Sequence, residues 1–157
     1  MSRSIRSAGI AIVATLITSV AAAQTPGAGD ACSLLSKEDA AAALGEAASG
    51  PKSTGPIKDG QGNLVSGCEY SGSGIHSIDL NLWRLSPGTA PMYKMICAKK
   101  TKDGLDGLGD VACWYNEKHA ELQVIKGASF VSIKLGRSGN PTEPIIAAMK
   151  KALAKLK

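Results

Sequence analysis

The stretch from Gly107 to Gly136 constrains the fold most tightly, because it reads as three antiparallel strands in succession. Asp110–Tyr115 (DVACWY) supplies the first, entered through Gly107-Leu108-Gly109, and Ala120–Lys126 and Ser129–Leu135 supply the others. Only Gly127-Ala128 separates the last two. A two-residue loop with glycine first suits a type II′ turn, which matches the right-handed twist of its flanking strands. In the third strand Val131, Ile133 and Leu135 share one face, while Ser132 and Lys134 share the other. Such a sheet is half buried and needs a cover.

The chain that must provide it starts with an export signal. Arg3 and Arg6 form a positive n-region, Ala8–Val20 an apolar core and Ala21-Ala22-Ala23 an A-x-A cleavage site, so residues 1–23 read as a signal peptide. The apolar run is short for a bilayer, which needs about 20 residues. No second run follows, so no stable membrane span is expected after cleavage. Gly29-Asp30-Ala31 before Cys32 is not a lipobox, so no lipid anchor is expected either. The reading places the protein in the periplasm or outside the cell. Of 157 residues, 134 remain after cleavage, enough for one domain with one core. Six aromatics leave that core largely aliphatic. Loss of Arg3 and Arg6 lowers the formal charge from +5 to +3, and no aromatic-interleaved basic stripe accompanies it, so no nucleic-acid partner is expected.

Cys32, Cys68, Cys97 and Cys113 all follow the cleavage site, and an even count in an exported chain argues for two disulfides. Three pairings are open. Cys32–Cys68 with Cys97–Cys113 is favoured, because each pair ties a helical segment to a strand after it. Each bridge would add about 3 kcal/mol by restricting the unfolded chain. Redox or metal roles lack a C-x-x-C to support them.

Residues 24–31 are small and glycine-rich, and read as a flexible lead-in to a single domain over 32–157. Ser36-Lys37-Glu38-Asp39 resembles a capping box opening an alanine-rich helix that stops at Gly45. Residues 46–63 allow one edge strand near Lys52–Lys58, since Pro51 and Pro56 forbid a central place. Leu64–Ser71 and Ile75–Leu85 form a hairpin, with Ile78, Leu80 and Leu82 alternating against Asp79, Asn81 and Trp83. A second helix runs from Thr89 or Ala90 to about Lys100. Its Met92, Met95, Ile96 and Lys99 fall at helical spacing, and the methionines are expected to fill core rather than bind a soft metal. A last helix opens at Asn140–Pro144, with Ile145, Met149, Ala152 and Leu156 as its apolar stripe.

The order is helix, strands, helix, strands, helix. One cysteine lies beside a helix and one in a strand after it, twice over, and GCEY (67–70) and ACWY (112–115) share a small-Cys-x-Tyr pattern. The fold class is therefore α+β: an antiparallel sheet from two related α-β-β(-β) half-units, with the C-terminal helix packed on it. Residues 32–45 (CSLLSKEDAAAALG), 67–70 (GCEY), 105–112 (LDGLGDVA) and 122–131 (LQVIKGASFV) are similar to an uncharacterised family of small exported domains. Many of its members are actinobacterial lipoproteins. The resemblance implies a PsbP-like α+β sandwich outside the cytoplasm and supplies no catalytic residues. The chain departs from the lipoprotein members in lacking a lipobox and in carrying Cys97 and Cys113.

Chemistry-bearing patterns are sparse. His76 and His119 fall near strand starts or hairpin turns, and a zinc site would need them to converge with Cys68 and Cys113 at spacings that fit no ribbon or finger. The acidic turn Asp103–Asp110 lacks the spacing and closing glutamate of a calcium loop, and its glycines suit a turn. No nucleophile elbow, phosphate loop or dinucleotide fingerprint is present. No catalytic residue, cofactor site or metal ligand is assigned, and the four cysteines are the only site residues. The expected function is non-catalytic: binding of a protein, glycan or other cell-envelope component through loops or an exposed sheet face. The alternative is a small-ligand carrier with a pocket between sheet and helices, near Trp83 or Trp114. An enzyme ranks third, because its groups could meet only by long-range convergence.

Overall fold

A computed structural model describes residues 29–156. The signal peptide expected over 1–23 lies outside the described residues. The elements are a 3-10 turn (Ala31–Ser33), α1 (Lys37–Leu44), β1 (Ser49–Lys58), β2 (Leu64–Ser71), β3 (Ser77–Arg84), α2 (Ala90–Ala98), β4 (Val111–Trp114), β5 (Glu121–Lys126), β6 (Ser129–Gly136) and α3 (Thr142–Lys155). They match the expected order. The end of the lead-in is packed: Ala31 is fully buried and donates its N–H to Ser66 Oγ.

The strands make one six-stranded antiparallel sheet in the order β1-β2-β3-β6-β5-β4. Each half-unit is a local meander, and the halves join where β3 pairs with β6 along its whole length. This is the α+β architecture expected from the sequence. α1 and α3 pack together on one face of the sheet, over Cys68, Tyr70, Ile78, Leu80, Leu82, Leu122, Val124, Val131 and Ile133. Tyr70 ties that layer together by donating its hydroxyl to the Leu35 carbonyl.

Local chemistry sets the element ends. Ser36 Oγ accepts from the Asp39 N–H and the Asp39 carboxylate accepts from the Ser36 N–H, completing the capping box, and α1 stops at Gly45. Asp39 also meets Lys151, fixing α1 to α3. Gly127 has φ +59°, as the first position of a II′ turn requires. β1 lies at the sheet edge with every residue exposed, the place that Pro51 and Pro56 demanded.

The expected disulfides form, Cys32–Cys68 and Cys97–Cys113. The GCEY and ACWY segments are not structural equivalents, however. Cys68 lies in the middle strand of the first half and faces α1 and α3, whereas Cys113 lies in the outermost strand of the second and faces α2. The second helix also turns differently from expectation. Met92, Met95 and Ile96 are 37%, 56% and 45% exposed. Ala90, Tyr93 and Cys97 face the sheet instead, the disulfide fixing the rotation of the helix.

Candidate functional site

α2 covers only the β4–β5 end of the second face of the sheet, where Cys97, Cys113, Ile125, Phe130 and Tyr93 form a small cluster. Among the described residues, no other helix packs on that face. Strand pairing arranges it in rows across the sheet. Val65, Trp83, Phe130, Ile125 and Val111 make an apolar row. The next row is Thr54, Gly67, Asn81, Ser132, Gln123 and Cys113. The one after is Lys52, Glu69, Asp79, Lys134 and Glu121. At a strand spacing of about 4.8 Å, this charged row extends about 19 Å.

Two chemically different halves result. Toward α2 the polar groups satisfy one another: Ser132 Oγ and Gln123 Nε2 donate to Glu121 Oε1 at 2.8 and 2.9 Å, and Lys100 donates to Gln123 Oε1 at 3.2 Å. Toward β1 they do not. The side chains of Lys52, Thr54, Glu69, Asn81 and Lys134 make no hydrogen bond or ion pair with another described residue. Of these, Thr54, Glu69, Asn81 and Lys134 surround, together with Asp79, a depression of about 360 Å³ with Gly67 at its floor. A Cβ on Gly67 would lie 2.6 Å from Thr54 Oγ1 and 3.1 Å from Asn81 Oδ1, so glycine keeps the floor low. Burial raises the Asp79 carboxyl above its ordinary range; the Ser77 hydroxyl at 3.2 Å opposes this and the Glu69 charge across the strand pair adds to it.

A second cluster joins three distant segments at the end of the sheet. Glu46 Oε1 lies 2.7 Å from His76 Nδ1, and Ser73 donates both its N–H (3.0 Å) and its hydroxyl (2.6 Å) to the same carboxylate. These bonds, Ser73 foremost, hold the Glu46 carboxyl down at about 2. His76 Nε2 is 3.4 Å from the Ser138 hydroxyl. The order serine, imidazole, carboxylate is that of an activated nucleophile, but Ser138 is exposed and the serine contact is the loosest of the set. Sequence reasoning missed this cluster because Ser138 is 62 positions from His76.

The other expected groups are structural. Cys68 and Cys113 are spent in disulfides, and His119 stacks on Trp114 with ring centroids 4.6 Å apart, so the zinc set does not converge. Trp114, one of the two tryptophans near which a carrier pocket was expected, is 1% exposed and donates its indole N–H to the Asp103 carbonyl. In the acidic turn, Gly104, Gly107 and Gly109 all have positive φ, Leu105 and Leu108 are buried, and Asp110 pairs with Lys94 at 2.8 Å. A hollow of about 420 Å³ beside that turn contains Lys126, but its ammonium already donates to the Leu153 carbonyl. No helix among the described residues is long and apolar enough to cross a membrane. Comparison with family models, curated proteins and solved structures finds no match.

Proposed function

We propose that this chain is an exported, non-catalytic binding domain that engages a protein or cell-envelope component through the open face of its sheet. The observation that carries this reading is the set of polar side chains around the depression on β1, β2, β3 and β6 that no other described residue bonds. Three of these strands are interior to the sheet, the most rigid place a small domain offers for holding a constellation of side chains. Two disulfides fit life outside the reducing cytoplasm. The test is retention of the purified domain on isolated envelope fractions. Asn81→Ala with Lys134→Ala should abolish retention while circular dichroism stays native. Equal retention by this double variant would overturn the assignment of the open face.

A further inference from the structure

We propose that the occupant of the open face is a neutral, extended glycan strand; this rests on the reading of that face as the binding surface. Charge selects against the other candidates. The outer row sets Lys52 and Lys134 among Glu69, Asp79 and Glu121, so an anionic chain meets carboxylates and a cationic chain meets ammonium groups. Nucleic acid and acidic polysaccharide are disfavoured on this ground. A sugar hydroxyl both donates and accepts, so a run of them satisfies carboxylate, ammonium and amide alike.

The neighbouring row supplies the apolar contact that a sugar ring also needs. Asp79, Asn81 and Trp83 follow at two-residue spacing on the open side of β3. Trp83 is half-buried and braced edge-on against Phe130, with centroids 4.9 Å apart at 60°. Its indole is thus a rigid, amphipathic platform beside the polar depression. A protein partner would be expected to bury a cluster of exposed apolar side chains at the centre of its interface. Here Met92, Met95 and Ile96 are exposed on α2 and Ile57 at the β1 end of the apolar row, and none of them lines the depression.

The full mature chain is titrated with chitohexaose, cellohexaose and maltohexaose, and with a heparin hexasaccharide as the anionic control, following tryptophan fluorescence and backbone amide shifts. Saturable binding of a neutral hexasaccharide, no binding of heparin, and affinity weakened roughly tenfold by Asn81→Ala would support the proposal, the loss of one such contact being worth about 1.4 kcal/mol. Absence of binding by all three neutral sugars, or binding that Asn81→Ala leaves unchanged, would overturn it. Envelope retention separates the two levels. If retention still depends on Asn81 and Lys134 while no neutral sugar binds, the glycan fails and the face stands. If retention ignores both residues, the face fails with it.

Discussion

Asp79 faces Glu69 directly across the β2–β3 pair, and like charges so placed cost stability. Because burial raises its carboxyl, the folded chain holds that proton more tightly than the unfolded chain does, and the group's contribution to stability falls as pH rises through its range. Asp79→Asn should therefore raise the urea midpoint at pH 7, with the gain fading as pH falls through the raised range and gone below about pH 4, where the wild-type carboxyl becomes protonated in both states. An unchanged midpoint at pH 7 would show that Asp79 carries no penalty. Glu46 has the opposite sign. Its carboxyl is held at about 2, so its stabilisation is complete above the ordinary glutamate range and is lost as pH falls from there toward 2. Glu46→Gln should lower the midpoint at pH 7 and converge with wild type near pH 2. His76 shows why such residues were hard to read: its place in a turn was legible, but Glu46 and Ser138 reach it only after the sheet has closed.

At the scale of elements, local signals were read well because they act locally. The capping box at Ser36 needs only four consecutive residues, and Ser36→Ala should cost about 1 kcal/mol in a denaturant titration. Gly109 combines φ +61° with a Cβ position 2.5 Å from Val124 Cγ1 and 2.6 Å from the Ile125 carbonyl. Gly109→Ala should cost about 2 kcal/mol or more, measured the same way. Helix rotation was less legible. The spacing of Met92, Met95 and Ile96 shows that they share a face, but not whether a sheet covers it, and Cys97 decides that through its bond to Cys113. Met95→Gln should then shift stability by no more than about 0.5 kcal/mol, a surface-sized effect. Likewise, the alternation of Asp79, Asn81 and Trp83 fixed one face of β3. That α2 stops short of it depends on the junction of β3 with β6, which no local pattern encodes.

The whole molecule is a sheet sealed on one side by α1 and α3 and only partly on the other, with one disulfide on each side. Losing Cys97–Cys113, which closes a 16-residue separation, should cost about 3 kcal/mol, and losing Cys32–Cys68 somewhat more, since it closes 36. Fold class, cysteine pairing and the edge position of β1 were all legible, since each follows from residue order and chain chemistry. The open face was legible only as polar positions on alternating strands; its depression depends on Gly67, Thr54 and Asn81 meeting across three strands. The most direct test of that face is amide shift mapping on the uniformly labelled mature chain as solubilised envelope material is added. Shifts concentrated at Thr54, Gly67, Glu69, Asn81, Ser132 and Lys134 are the predicted result. Shifts concentrated on α1 and α3, or around Glu46, His76 and Ser138, with the open face silent, would contradict it.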